Sequence, residues 1–391
     1  MEIKVAQVIN HNQVKKDQAV QLEDGRIQNI RNLYPFETPE FPNMIPGFID
    51  IHTHGRMGFS TMDIENYEKL SKSYLISGTT AFVASILTAP IEEIEKILQF
   101  GKDYIRKNRE QAADGYCALL HGFHLEGPYL SVINCGAQHP ELIIPFDEKG
   151  KTLIDTYHEI LDMITLDYQD PSATELVRVA RQYPIILSAG HDSAVGERVY
   201  EGIAEGISHV THIFSSTSSF FKGVRNGVFA KLLGTQEIAL MTHGVSVEVI
   251  TDGHHITKSI FDFIKHCKPI DEIITVSDST EYSGLPYESG KRCKLGKVDI
   301  MLEEGVAMLP DRSTLAGSII SMHDAFRILV NTWGEDRSTA VALTSYNPAR
   351  KLGIDDLGVI QKGAQADILL MDDSSNLLKI YKHGVVFNST D

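Results

Sequence analysis

His, Asp and Glu recur in this chain in short clusters whose spacing suits metal ligation. His52 and His54, in PGFIDIHTHG (46–55), lie two residues apart. On a strand their imidazoles share one face, roughly 6.5–7 Å apart. Two imidazoles on the inward face of an otherwise apolar strand are costly unless hydrogen-bonded or coordinating. A lone H-x-H is weak evidence for a metal, but this one has company. In HGFHLEGPY (121–129), His124 and Glu126 share a face by the same period, and Gly127-Pro128 stops the strand directly after the carboxylate. His191 closes the apolar run in SAGHDS, and His212 closes HVTH, where His209 is out of phase and reads as structural. Asp278 closes IITVSD. Each of these residues alone is explicable as a solvated strand end. Together they describe a divalent transition-metal site of imidazole and carboxylate type, with Zn²⁺ first and Fe²⁺, Mn²⁺ or Co²⁺ as alternatives.

Such a site needs several strands that end side by side. Apolar runs predict eight, over 48–54, 79–87, 117–126, 162–166, 185–191, 208–214, 246–252 and 272–278. Helix-like segments lie between most of them, as in IEEIEKILQFGKDYIRKN (91–108), where apolar residues recur near i, i+3, i+4 and i+7. An open doubly wound sheet would also fit this alternation. Five of the eight predicted strands end in His, Asp or Glu, however, and barrel enzymes collect their chemistry at the carboxyl ends of strands. The expectation is therefore an α/β fold, a (β/α)8 TIM-type barrel over 46–345. Both chain ends have short-strand texture, with Asp24-Gly25 as a hairpin turn between alternating apolar positions. Residues 1–45 and 346–391 are expected to form one small β-sandwich domain, since chain ends commonly lie close together.

Composition narrows the function classes. With 36 Lys plus Arg against 52 Asp plus Glu, the formal charge is −16, a field that repels polyanions and argues against nucleic-acid or anionic-membrane binding. An anionic substrate would need a local basic group. At 42% hydrophobic and 23% charged residues the chain resembles ordinary globular proteins. Cys117, Cys135, Cys267 and Cys293 are widely spaced with no C-x-x-C, so they read as free thiols in a reducing compartment. No apolar run reaches about 18 residues, and the first residues lack the apolar stretch of a secretory signal. The expected location is the cytoplasm.

H-x-H after the first strand, single histidines after the fifth and sixth, and aspartate after the eighth resemble the amidohydrolase superfamily. The longer strings PGFIDIHTHG, HLEGPY, GHDS, TH-x-F, TDGHH, SDST and TLAGS are similar to those of the N-acetylglucosamine-6-phosphate deacetylase family, over essentially the whole chain. Dihydroorotase-like relatives bridge metals with a carboxylated lysine at the end of strand four. That strand here reads MITLDYQD, without lysine, which leaves Glu126 as the carboxylate ligand. The resemblance implies that Glu126, His191 and His212 hold a principal metal and that His52, His54 and Asp278 form an adjacent position, giving one or two metals per chain. It also implies that Asp278 is general base and then general acid. The plainer roles for Asp278 are an ordinary ligand or a helix N-cap.

On the substrate side the resemblance implies that Asp252 and His255, in TDGHH, face the substrate, with His255 polarising the acetyl group. Ala137 and Gln138 would contact the sugar, and Leu315, Ala316 and Gly317 would supply a backbone contact loop near the ring. Ser215 and Ser216 stand where the family usually has Asn-Ala. Arg225, in FFKGVRNG, matches the family's phosphate-gripping arginine only after a register slide. The implied activity is metal-dependent release of acetate from N-acetylglucosamine 6-phosphate. A different N-acyl sugar, such as the galactosamine epimer or an unphosphorylated amide, is the first alternative. A catalytically silent sugar-phosphate-binding protein is the second, and the intact metal set with Asp278 argues against it. The resemblance further implies a homodimer.

Overall fold

The computed structural model describes residues 1–225 and 228–388. Runs of β-branched and small apolar residues form eight parallel strands. These are β1 (Phe48–Thr53), β2 (Thr79–Leu87), β3 (Leu119–Glu126), β4 (Leu161–Leu166), β5 (Ile186–Ala189), β6 (His209–Val210), β7 (Ser246–Ile250) and β8 (Ile273–Val276). They pair in sequential order. Beyond the ladders, the Asp278 N–H donates to the His52 carbonyl at 2.9 Å and the His54 N–H to the Ser279 carbonyl at 2.8 Å, drawing β8 against β1. The helices between are α1 (Tyr67–Ile76), α2 (Ile91–Ala113), α3 (Glu148–Tyr157), α4 (Ala173–Ala180), α5 (Glu197–Glu205), α6 (Thr235–Met241) and α7 (Lys258–Cys267), with α8 (Met322–Arg327) after β8. This is the expected (β/α)8 barrel.

Burial explains the strand sequences. All nine residues of β2 are buried, as a strand covered on both faces requires, so TTAFVASIL shows no polar alternation. In α2 the buried stripe is Ile94, Ile97, Leu98, Gly101, Tyr104 and Ile105, the 3.6-residue period of a one-sided helix. Gly101 permits a close approach, because a Cβ there would lie 2.3 Å from the Phe123 ring on β3. Asn108 then fixes the helix to the same strand, donating to the Ala118 carbonyl at 3.0 Å and accepting from the Leu120 N–H at 2.7 Å.

Several observed strands stop two to four residues short of their predicted carboxyl ends. The cause is local: His191, His212 and Asp278 have φ of +46°, +26° and +46°, which turns the chain out of the ladder at the residue whose side chain enters the site.

Both termini build one seven-stranded sheet, in the order Val385–Val386, Leu377–Lys382, Ile368–Met371, Phe41–Pro46, Glu2–Asn10, Gln13–Glu23, Arg26–Asn32. The hairpin turn falls at Asp24 and Gly25, with φ of +48° and +74°. Two excursions leave the barrel near the carboxyl ends of its strands. One is the hairpin of Phe221–Arg225 and Val228–Leu232; the other is a three-stranded sheet of Lys291–Leu295, Val298–Glu303 and Val306–Met308. In the latter, Leu295, Ile300, Leu302 and Ala307 pack with Leu87 of β2 and with Ala316. No helix among the described residues is long and apolar enough to cross a membrane.

Candidate active site

Six buried side chains meet at the carboxyl ends of the barrel strands: His52 and His54 from the end of β1, Glu126 from the end of β3, and His191, His212 and Asp278 from the turns after β5, β6 and β8. Glu126 is the hub. Its Oε1 lies 3.1 Å from His191 Nε2, 2.9 Å from His212 Nε2 and 3.3 Å from His52 Nε2, while its Oε2 lies 3.1 Å from His54 Nε2. Asp278 Oδ1 is 3.2 Å from His54 Nε2 and 3.5 Å from His52 Nε2. Ligand atoms of His52, Glu126 and His212 fall within 4.8 Å of one another, as do those of His52, His54 and Asp278. His52 thus belongs to both triplets, where the sequence reading places it only in the second.

The outer contacts of the rings show what the cluster is built to hold. His54 Nδ1 faces the Ser85 carbonyl at 3.3 Å, His191 Nδ1 the Asn134 carbonyl at 3.1 Å and His212 Nδ1 the Ser215 carbonyl at 3.1 Å. His52 Nδ1 lies 2.9 Å from Glu248 Oε2. Carbonyls and carboxylates accept only, so each Nδ1 carries the hydrogen and a neutral ring turns the lone pair of Nε2 inward. In those tautomers four lone pairs and two carboxylates converge and none of the six side chains offers a hydrogen to another, an arrangement that a divalent cation satisfies.

The carboxylates also demand positive charge, which the rings themselves supply as protons when no cation does. Burial disfavours the charged form of every group here, yet the carboxylates of Glu248, Glu126 and Asp278 outweigh it at His52 and hold that ring well above its ordinary range. The same competition lifts His54 to about 9. Conversely, His52 and His54 overcome burial at Glu126 and Asp278 and keep both carboxyls below the usual carboxylate range. The pocket favours positive charge at its centre. His191, His212 and Asp278 also occupy the left-handed backbone region, uncommon outside glycine. Strain of order 1 kcal/mol or more at each is the kind that clusters at functional sites.

Beside the cluster opens a cavity of about 210 Å³, lined by His54, Glu126, His191, His212 and Asp278 and also by Ala137, Gln138, Ser215, Ser216, His255, Leu315 and Gly317. Three further residues from the sequence reading sit otherwise. Asp252 is not at the cavity wall; its carboxylate accepts from His255 Nδ1 at 2.7 Å and from the His254 and His255 N–H groups at 2.8 Å, which fixes the His255 ring. Ala316 is fully buried behind its neighbours. Arg225 ends its strand, and its side chain lies outside the described residues. Gln138, expected to meet sugar, donates to Glu126 Oε2 at 2.6 Å and accepts from the Thr88 N–H at 2.9 Å. Gly317 is required where it stands: at φ +61°, a Cβ would lie 2.8 Å from the Asp278 carbonyl.

The sequence reading missed Leu87, Phe214, Leu295 and Thr314 of the cavity wall, and Glu248 behind His52. Glu248 did leave a signal, as the one carboxylate inside the apolar run VSVEVI. The apolar wall residues left none.

The sequence profile of the amidohydrolase family matches residues 43–389. N-acetylglucosamine-6-phosphate deacetylase of Bacillus subtilis (strain 168) is 30% identical over 404 residues, covering 100% of this chain and 98% of that protein. N-acetylgalactosamine-6-phosphate deacetylase of Escherichia coli O157:H7 is 25% identical over 373 residues, covering 94% of each. The crystal structure of N-acetylglucosamine-6-phosphate deacetylase from Thermotoga maritima superposes with a TM-score of 0.86 at 28% identity, covering 99% of both chains. With a profile spanning most of its length and a near full-length relative at that identity, the chain belongs to the amidohydrolase family, in its N-acetylglucosamine-6-phosphate deacetylase group.

Proposed function

We propose that this protein hydrolyses the acetamide of N-acetylglucosamine 6-phosphate, giving glucosamine 6-phosphate and acetate. The observation that carries this reading is the inward convergence of four Nε2 atoms on Glu126 and Asp278, at the edge of a cavity that also holds His255. Glu126, His191 and His212 would hold a principal ion, with His52, His54 and Asp278 beside it; Zn²⁺ suits this donor set best, ahead of Fe²⁺, Mn²⁺ or Co²⁺. A divalent ion there supplies Lewis acidity toward the acetyl oxygen and acidifies water. Asp278, a carboxylate facing His52 and His54, takes the proton of the attacking water. It returns that proton to the sugar nitrogen as the C–N bond breaks, acting as base and then acid. Asp252 anchors His255 through Nδ1, and with a hydrogen on Nε2 as well that ring would donate to the acetyl oxygen. Gln138 holds Glu126 in place by its 2.6 Å bond, and Gly317 lets its loop pack directly against the Asp278 turn.

The phosphate is assigned to Arg225, since a chain of net charge −16 must offer a local cation to bind an anion. We take residues 46–345 as the hydrolase domain and 1–45 with 346–391 as the small domain, in a cytoplasmic homodimer. One observation favours a second reading, deacetylation of the galactosamine epimer or of an unphosphorylated amide: Ser215 and Ser216 line the cavity where the family usually has Asn-Ala. Acetate release by metal-reconstituted protein from N-acetylglucosamine and N-acetylgalactosamine, each with and without the 6-phosphate, separates these. The proposal expects the phosphorylated glucosamine derivative to react fastest. A faster epimer or indifference to phosphate supports the second reading, and no release from any of the four defeats both.

A further inference from the structure

Glu248 lies in the middle of β7, in a run buried throughout. Among the described residues its ion-pair partners are two histidines, His52 and His209. A buried carboxylate is retained only where several donors satisfy it, and here they come from two other strands. Oε2 accepts from His52 Nδ1 at 2.9 Å and from the backbone N–H of His212 at 3.1 Å. Oε1 lies 3.1 Å from His209 Nε2, whose Nδ1 is 2.7 Å from Ser246 Oγ. The Glu248 backbone carbonyl also accepts from the Ile213 N–H at 2.9 Å. One residue of β7 therefore holds both the ring at the end of β1 and the turn after β6.

We propose that Glu248 is a positioning residue for the metal centre. It fixes the Nδ1–H tautomer of His52, the ring common to both ligand triplets, and sets that ring against the His212 turn. Because Oε2 serves both donors, movement of the carboxylate would displace ligands from two strands together. The neighbouring rings use backbone carbonyls for the same purpose, which no side-chain change can remove; His52 alone depends on a side chain. The inference rests on the reading of the site as a metal centre.

The test measures metal per chain and metal affinity by chelator competition in the wild type and in Glu248→Leu and Glu248→Gln. Leucine removes the acceptor at similar size. Glutamine keeps an oxygen for His52 and the His212 N–H, and its amide can donate to His209 Nε2 while His209 Nδ1–H turns to Ser246 Oγ. Loss of the partner behind a ligating histidine typically costs about 10- to 100-fold in metal affinity. That loss is expected in Glu248→Leu for the more weakly held ion, with most of it recovered in Glu248→Gln. Should the leucine variant not fold, Glu248→Asp takes its place, since a shorter side chain withdraws the carboxylate from His52 Nδ1. Metal held within about threefold of wild type in the leucine or aspartate variant overturns the proposal, being well below that range. So does a glutamine variant as weak as the leucine one, because filling the core would then be all that Glu248 does. Wild-type protein that takes up no metal defeats the metal-centre reading itself, and this inference with it.

Discussion

Replacing Asp278 by Asn separates proton transfer from everything else that residue does. Its backbone is anchored independently of its side chain: the N–H donates to the His52 carbonyl at 2.9 Å, and the carbonyl accepts from the Ser318 N–H at 2.7 Å. Asparagine tolerates the +46° φ found here better than most residues, so the turn should keep its shape. What disappears is a carboxylate able to take and return a proton. General acid–base groups contribute about 10²–10⁴-fold, and the same group serves attack and departure, so kcat should fall by at least that factor, or about 3–5 kcal/mol of barrier. One negative charge also leaves the vicinity of His52 and His54, to which Asp278 Oδ1 lies 3.5 and 3.2 Å away, so metal at that position should weaken. The assay is acetate release across a metal titration, with bound metal and the thermal midpoint measured in parallel. A deficit that persists at full metal occupancy is the signature of lost proton transfer. Recovery to more than about a tenth of the wild-type rate on adding metal would show Asp278 to be a ligand and no more, since that leaves less than the smallest general-base effect.

Three other outcomes follow from particular contacts. His191→Ala should strip the principal metal, because it deletes an Nε2 that lies 3.1 Å from Glu126 Oε1; full metal content in that variant would remove His191 from the site. Arg225→Ala should raise KM for the 6-phosphate substrate about 10- to 150-fold, the worth of a charge-assisted bond of roughly 1.5–3 kcal/mol, and leave the unphosphorylated analogue nearly unchanged; equal damage to both would make Arg225 structural. Lys351, which does not line the cavity, is a stability probe. Its Nζ donates to the Ser208 carbonyl at 2.8 Å, and burial pushes its pKa from 10.5 down to about 8. Between those values the unfolded chain binds the proton and the folded one does not, so stability rises with pH across the window, by an amount on the order of 3 kcal/mol at most. Lys351→Met should therefore unfold at higher urea than wild type at pH 7, with the gap closing toward pH 10.5. A gap that ignores pH would show that the amine is not strained by burial.

The boundary between what was legible in the chain and what was not follows the covalent identity of the groups concerned. His52 and His54 could be read because a period of two on a strand puts them on one face whatever the tertiary context. Glu126, His191, His212 and Asp278 could be read because a polar residue ending an apolar run has few other reasons to be there. The same pattern selected a closed barrel, since only strands arranged in a ring bring five such ends together. Glu248 was visible as a carboxylate among valines and isoleucine, but β7 is buried on both faces, so alternation could not say whether it pointed to the barrel axis or to the helices. The acceptors behind the other rings, the carbonyls of Ser85, Asn134 and Ser215, belong to every residue type and leave no mark in a sequence. Gln138 shows the middle case. Its position at the cavity was legible, whereas its bond to Glu126 depends on how the loop after β3 folds back, a long-range outcome. A residue type thus reports chemistry where the chemistry is in the side chain. Where orientation is enforced by backbone, as it is for three of the four imidazoles, only the folded structure reports it.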